Sequence, residues 1–152
     1  MSDILLNITR TFDASPEALF DAWTDPAQVA EWYGPEGFGK SNIQTFDARE
    51  GGEYSLTMNA PDGGKHKLQG EFKVFDRPQS GRSGKLSFTW QWVEGGMEDT
   101  MGALTLVTVE FKPVGDKTEM VFLHEGFASE AIRDSHNKGW SSSFNKLEKV
   151  LV

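Results

Sequence analysis

A change in hydrophobic periodicity is the feature that most limits the folds open to this chain. From about residue 41 to residue 126, apolar and polar residues alternate with a period of two, the pattern of strands with one buried face. From Ser129 to Leu151 the period becomes that of one long amphipathic helix. The strands have only this one large element against which to bury a sheet face, so the pattern predicts an α+β fold.

Turn sequences divide the alternating region into six predicted strands. The breaks contain Gly51-Gly52, APDGG at 60–64, QSGRSG at 79–84, EGG at 94–96 and VGD at 114–116. Connections this short favour sequential antiparallel hairpins. The six strand segments are SNIQTFDAR, GEYSLTMN, HKLQGEFKVF, KLSFTWQWV, LTLVTVEFK and TEMVFLHEG.

The segment before residue 36 predicts a further strand and two short helices. ILLNITRTF at 4–12 alternates like a strand. Ser15 as N-cap and Pro16 at the first helical position begin one helix. Asp25 and Pro26 begin a second helix, which ends at Gly34-Pro35. A curved sheet gripping a long helix cannot be filled everywhere by contacts between the two, so we expect a cavity between them.

Length, charge and cysteine content exclude several classes of protein. A chain of 152 residues is suited to one core, and we expect a single domain over residues 1–152. The net charge of -8 disfavours nucleic acid as a partner. The lack of cysteine excludes disulfides, thiolate zinc sites and cysteine nucleophiles. We find neither a signal peptide nor an apolar run of ~20 residues, so we expect a cytoplasmic protein without a membrane span.

The long C-terminal helix carries an unusual sequence on its predicted inner face. HNKGW at 136–140 places Gly139 in the helix interior, where glycine costs roughly 0.5–1 kcal/mol relative to alanine. We expect Gly139 either to let a strand or a bulky side chain approach the helix backbone closely or only to relieve crowding under a tryptophan at the rim. The predicted inner stripe contains Ile132, His136, Trp140, Phe144 or Ser143, Leu147, and Val150 or Leu151.

The chain resembles the START-like, helix-grip (SRPBCC) superfamily, and within it the group named for homology to the activator of Hsp90 ATPase. The motifs that carry the resemblance span nearly the whole chain in the expected order. They are ASPEALFDAWTDPAQVAEWYGPEGF at 14–38, REGGEYSLTM at 49–58, DGGKHKLQG at 62–70, FTWQW at 88–92, HEGF at 124–127 and HNKGW at 136–140.

The resemblance implies a seven-stranded curved antiparallel sheet wrapped around the C-terminal helix, with a mostly apolar pocket near the short helices. The group has no single catalytic motif, so the resemblance implies no catalytic residues in this chain. The co-chaperone that names the group is similar over only part of its length and has another domain, so an Hsp90-type partner is doubtful. The loop DRPQSGRSG at 76–84 also departs from the short proline-containing turn that relatives tend to have.

The residues predicted to point inward from the strands and from the long helix are the candidates for a ligand pocket. Rings and methionines with few polar groups are suited to an apolar or aromatic small molecule, although such rows are also typical of ordinary core packing. The candidate ligand-binding residues are Trp32, Tyr54, Met58, Phe88, Trp90, Trp92, Met120, Phe122, His124, His136, Trp140 and Phe144.

Histidines are the candidate reactive groups. We expect His124, at the end of the last strand, and His136, on the inner helix face, to approach the same end of the cavity. Either could orient a ligand carboxylate or act as a general acid or base, although a structural hydrogen bond is the commonest role of a histidine in such a place. Tyr54 is a further candidate acid–base group. Two histidines without a nearby carboxylate ligand are too few to predict a metal site, and the sequence predicts neither a metal nor a cofactor.

The sequence leaves three classes of function open. The leading hypothesis is a small-molecule binding protein with a hydrophobic cavity between the sheet and the C-terminal helix. The second is a cyclase, isomerase or hydrolase type of enzyme that uses His124, His136 or Tyr54. The third is a chaperone-associated interaction module, with exposed Trp and Tyr in WYGPEGF at 32–38 as anchors, although we expect these two rings to cap the mouth of the pocket instead. A homodimer through that surface or a sheet edge is left open.

Overall fold

The computed structural model describes residues 3–95 and 103–151, and its elements follow the predicted order. The predicted EGG turn lies partly outside the described residues. The strands are β1 Leu5–Phe12, β2 Asn42–Phe46, β3 Glu53–Asn59, β4 Lys65–Asp76, β5 Gly84–Glu94, β6 Thr105–Val114 and β7 Lys117–Glu125, and the helices are α1 Pro16–Thr24, α2 Pro26–Trp32 and α3 Glu130–Val150.

All seven strands form one antiparallel sheet in the order β1-β7-β6-β5-β4-β3-β2. The consecutive strands β2 to β7 are neighbours, as their short connections predict, and β1 pairs with β7. In this register Leu6 faces His124 and Ile8 faces Phe122. The curved seven-stranded sheet and the long C-terminal helix confirm the helix-grip fold that the sequence predicts.

Side-chain caps begin each of the three helices in the described ranges. The hydroxyl of Ser15 accepts a hydrogen bond from the backbone N–H of Ala18 at 3.1 Å, which confirms the predicted N-cap. Asp25 caps α2 in the same way through Ala27. Ser129 caps α3 through Ile132. These local hydrogen bonds explain why the starts of the helices could be predicted from sequence.

The core lies between the inner face of the sheet and α3. Alternate strand residues point into it, as the period of two requires. An ion pair between Arg10 of β1 and Glu148 of α3, with 2.7 Å between Nη2 and Oε2, ties the end of the helix to the sheet. The predicted inner stripe of α3 is confirmed, with Ile132, Trp140, Ser143, Phe144 and Leu147 buried.

Aromatic rings fill the middle of this core. Trp23 of α1 is 1% exposed, and its ring centroid lies 4.7 Å from that of Trp32 and 5.9 Å from that of Trp140. The rings of Phe88, Phe122 and Phe144 lie within 6.3 Å of it. The short helix α1 therefore occupies space between sheet and α3 that a ligand would otherwise take.

The loop between β4 and β5 has a structural partner. Arg77 forms an ion pair with Asp21 of α1, and its guanidinium carbon lies 5.8 Å from the ring centroid of Phe20. This arginine therefore fastens the loop to α1. No helix within residues 3–95 and 103–151 combines the length and the hydrophobicity that crossing a membrane requires.

Candidate functional site

An apolar cavity of about 240 Å³ lies between α3 and the strands β3, β4 and β5. The connection from α2 to β2 forms its remaining wall. The lining residues are Tyr33, Gly34, Pro35, Phe38, Met58, His66, Trp90, Trp92, Ser135, His136, Gly139, Trp140 and Ser143.

Gly139 belongs to the helical wall of this cavity and leaves it open. A Cβ atom added at Gly139 would meet only Cγ of Pro35, at 4.0 Å, which is an ordinary van der Waals distance. The prediction that this glycine permits a close approach to the helix is therefore wrong. One turn later, Ser143 donates its hydroxyl to the Gly139 carbonyl at 2.9 Å. Two small residues on successive turns thus leave space that larger side chains would fill.

The wall between α2 and β2 is fastened to α3 by polar contacts. The Glu36 backbone N–H donates to the hydroxyl of Ser142 at 2.7 Å, and the Glu36 carboxylate accepts from Asn145 at 3.0 Å. Lys146 donates to the Gly34 carbonyl at 3.2 Å. The hydrogen bond from Asn145 is the largest factor that lowers the pKa of Glu36. These contacts hold the cavity wall against the helix.

Both ring nitrogens of His136 have protein partners. Nδ1 lies 2.9 Å from the Ile132 carbonyl, which can only accept a hydrogen bond, so Nδ1 carries the proton. Nε2 accepts from the indole N–H of Trp92 at 3.2 Å. His136 is therefore held as the neutral Nδ1–H tautomer, and neither nitrogen is free for a ligand.

His124 is paired in the opposite sense and lies outside the cavity. Its Nδ1 accepts from the indole N–H of Trp140 at 3.1 Å, so the proton is on Nε2, which donates to the Thr105 hydroxyl at 2.7 Å. Thr105 in turn donates to the carbonyl of Trp90 at 3.0 Å. The ring centroids of His124 and His136 are 5.5 Å apart, so the sheet and α3 bring the two histidines together.

Burial lowers the pKa of both histidines. For His124, which is 0% exposed, the nearby His136 lowers the pKa further. For His136 the hydrogen bond to Ile132 opposes the effect of burial only in part. Both rings are consequently neutral at neutral pH, in agreement with the tautomers that the hydrogen bonds assign.

We therefore expect the protein to lose stability as pH falls below the unfolded histidine value of about 6.5. The folded pKa values lie below that value, so the unfolded chain binds more protons in this range, and the free energy of unfolding decreases on acidification. Urea unfolding between about pH 7.5 and 5.5 measures the slope. The His136→Gln variant, which cannot be protonated at this position, should reduce the slope; an unchanged slope would contradict the assignment.

Tyr54 has a structural hydrogen bond instead of a place in the cavity. Its hydroxyl donates to the Thr89 carbonyl at 2.6 Å, and burial raises the pKa of that hydroxyl. Gly70 lies beneath this contact: a Cβ there would stand 2.0 Å from the Thr89 oxygen and 2.6 Å from the Tyr54 ring. Tyr54 and both histidines thus already share their protons with protein groups, and nothing in the geometry favours the acid–base hypothesis.

The structure divides the twelve predicted site residues into two groups. Five line the cavity: Met58, Trp90, Trp92, His136 and Trp140. The other seven are 3% exposed or less and pack in the core instead: Trp32, Tyr54, Phe88, Met120, Phe122, His124 and Phe144. Trp23 of α1 packs against Phe88 and Phe122, and rings of neighbouring strands pack against Tyr54. The first group instead borders the small residues Gly139 and Ser143 of α3.

Sequence reasoning missed several lining residues. The strand pattern could have identified His66. It is two residues before the buried Leu68 in β4, so both side chains are on the same face, and it pairs with Met58 of the neighbouring strand β3. Tyr33 and Phe38 lie in the segment WYGPEGF, whose Trp and Tyr are predicted to cap the pocket mouth or, as the less favoured alternative, to be exposed anchors. Trp32 is 0% and Tyr33 4% exposed, so the exposed-anchor alternative is wrong; Tyr33 lines the cavity, whereas Trp32 packs in the core. The other lining residues that were missed are Gly34, Pro35, Ser135 and Ser143.

Within the described ranges, no three His, Asp or Glu side chains are grouped so that they could hold a metal ion. The cavity wall likewise contains neither a carboxylate nor an amine. Its chemistry is that of aromatic rings, one thioether and a few hydroxyl groups.

Comparison with known proteins agrees with this architecture. The profile of the family described as activator of Hsp90 ATPase homolog 1-like protein matches residues 13–152. No curated protein matches the chain significantly.

Several solved structures share the fold along their whole length. A protein from Chromobacterium violaceum is 24% identical, with a TM-score of 0.83 over 97% of this chain and 96% of that chain. The AHSA1 protein from Silicibacter pomeroyi is 28% identical, with a TM-score of 0.78 over 96% of each chain. A protein from Arthrobacter aurescens is 23% identical, with a TM-score of 0.80 over 97% of this chain and 85% of that chain.

Proposed function

Since the chain belongs to the activator of Hsp90 ATPase homolog 1-like family, within the START-like superfamily, we propose that it binds a small, uncharged aromatic molecule in the cavity between α3 and the sheet. The observation that carries the proposal is the chemistry of the wall. No Asp, Glu, Lys or Arg is among the described residues that line the cavity. Apolar surface buried there would contribute about 25 cal/mol per Å².

The arrangement of rings favours an aromatic ligand. The ring centroid of Trp90 lies 5.4 Å from that of Trp92 and 4.8 Å from that of Trp140, so three indoles adjoin one another in the wall. Met58 adds an adaptable thioether beside them. Flat aromatic ligands make offset or edge-to-face contacts with such rings.

Cavity volume limits the size of the ligand. An apolar cavity of about 150 Å³ accommodates benzene, and the cavity here measures about 240 Å³. This volume is suited to a compound of one or two rings.

The lack of basic side chains argues against a charged ligand. No lysine or arginine is among the described residues that line the cavity, and both ring nitrogens of His136 are already paired with protein groups. A buried carboxylate would therefore have no lysine or arginine to pair with, and burying an unpaired charge is strongly unfavourable. This disfavours the expectation that a histidine orients a ligand carboxylate.

Isothermal titration calorimetry with naphthalene and with 2-naphthoate tests the proposal. Both compounds have the same ring system, and only the second is charged at pH 7.5. We expect naphthalene to bind and naphthoate to bind at least about tenfold more weakly, a difference of about 1.4 kcal/mol. Absence of naphthalene binding, or a preference for the carboxylate, would refute the proposed function.

A further inference from the structure

Two polar groups of residues that line the cavity have no hydrogen-bond partner among the described residues. The indole N–H of Trp90 is fully buried, so a ligand in the cavity does not reach it. Tyr33 is 4% exposed, and its hydroxyl is not among the fully buried unpaired atoms, so it keeps surface that a ligand can contact. Burial of the side chain raises the pKa of that hydroxyl.

The neighbouring polar groups make the contrast clear. Trp92 and Trp140 each donate the indole N–H to a histidine nitrogen. Ser143 donates to the Gly139 carbonyl. The fold therefore provides partners for these side chains, whereas the Tyr33 hydroxyl has none among the described residues. The buried indole N–H groups of Trp90 and, in the core, of Trp23 are also unpaired.

The backbone holds Tyr33 firmly in position. Tyr33 is the C-cap of α2, where its N–H donates to the Val29 carbonyl at 3.0 Å. Its own carbonyl accepts from the Ser41 hydroxyl at 3.3 Å. The Tyr33 ring centroid lies 6.3 Å from that of Trp90 and 6.0 Å from that of Trp140. These contacts define the position of the phenol ring beside the cavity in the free protein.

We propose that Tyr33 selects ligands that carry a neutral oxygen acceptor, such as an aryl ketone, by donating its hydroxyl hydrogen to that oxygen. This inference rests on the proposed function, which it extends from an aromatic ligand to an aromatic carbonyl compound. The Tyr33 hydroxyl has a hydrogen to donate and no partner among the described residues, and a carbonyl oxygen has two lone pairs and no hydrogen, so the two are complementary. The raised pKa keeps Tyr33 protonated and able to donate.

A matched pair of ligands tests the inference. The ketone 2-acetylnaphthalene and the alkene 2-isopropenylnaphthalene have nearly the same shape and differ in having an oxygen or a CH₂ group at one position. Calorimetric titrations compare both compounds with the wild type and with Tyr33→Phe, which removes only the hydroxyl. Since one hydrogen bond contributes modestly, we expect the variant to bind the ketone about 3- to 10-fold more weakly and the alkene within about twofold of wild type.

The outcomes separate the two proposals. If both compounds bind and the substitution affects them equally, the role of Tyr33 is refuted while the proposed function stands. If neither compound binds the wild type, the proposed function fails and the inference fails with it. Urea unfolding provides a control: a hydroxyl without a partner can be removed without lowering the denaturation midpoint, so a clear decrease in the midpoint would contradict the assignment.

Discussion

The Trp140→Ala variant is expected to lose about 3–5 kcal/mol of unfolding free energy, the usual cost of truncating a large buried ring. Trp140 is 5% exposed, and its ring centroid lies 4.7 Å from that of Phe122 and 4.8 Å from that of Trp90. Its indole N–H also donates to Nδ1 of His124. The substitution therefore removes packing from the centre of the domain and leaves a buried ring nitrogen unpaired.

The Trp140→Phe variant separates these two contributions. It keeps a ring in place but removes the donor to His124, for which we expect a loss of about 1–3 kcal/mol. Urea denaturation followed by far-UV circular dichroism measures both variants. If alanine cost no more than phenylalanine, the contribution of packing by Trp140 would be contradicted.

The Gly139→Leu variant is expected to become more stable and to lose ligand binding. Leucine is a better helix former than glycine, which is worth about 0.5–1 kcal/mol in a helix interior. A Cβ at this position meets only Pro35, at 4.0 Å, so the first side-chain atom fits without a close contact, and the remaining atoms extend into the cavity that Gly139 lines. The longer side chain then fills part of the cavity, and we expect naphthalene affinity to fall at least about tenfold.

The Gly139→Ala variant is the matched control. It gains a similar helix propensity but adds only one methyl group, so its affinity for naphthalene should lie between those of wild type and Gly139→Leu. Urea unfolding and calorimetric titration of the same samples give both quantities. Undiminished binding by a folded Gly139→Leu protein would place the ligand elsewhere.

Much of the fold could be predicted because its signals are local. The burial of alternate residues in β1 follows from a strand period of two, and Ser15 caps α1 through a residue three positions away. The alternation in β5 and β7 likewise predicted correctly which face of each strand is buried. The resemblance added that all seven strands form one sheet wrapped around the C-terminal helix, and the structure supplied the strand order.

The candidate site was harder to predict, because core and cavity share the same strand faces. Phe88 and Trp90 have the same phase in β5, yet Trp23 of α1 packs against Phe88, whereas Trp90 lines the cavity. Whether a ring on this strand face lines the cavity depends on the size of the residues opposite it, and those residues lie on the distant helix α3. Phase gives the direction of a side chain and says nothing about what lies opposite it.

Sequence alone determined that this chain forms a seven-stranded sheet around a C-terminal helix, with an inner face rich in aromatic residues. The tertiary structure alone decided which rings enclose space, because that depends on Gly139 and Ser143 facing Trp90 across the domain. It also decided that His124 and His136 are neutral and paired, through indole donors many residues away. Periodicity is a property of neighbouring residues, whereas a cavity and a tautomer depend on contacts between distant ones.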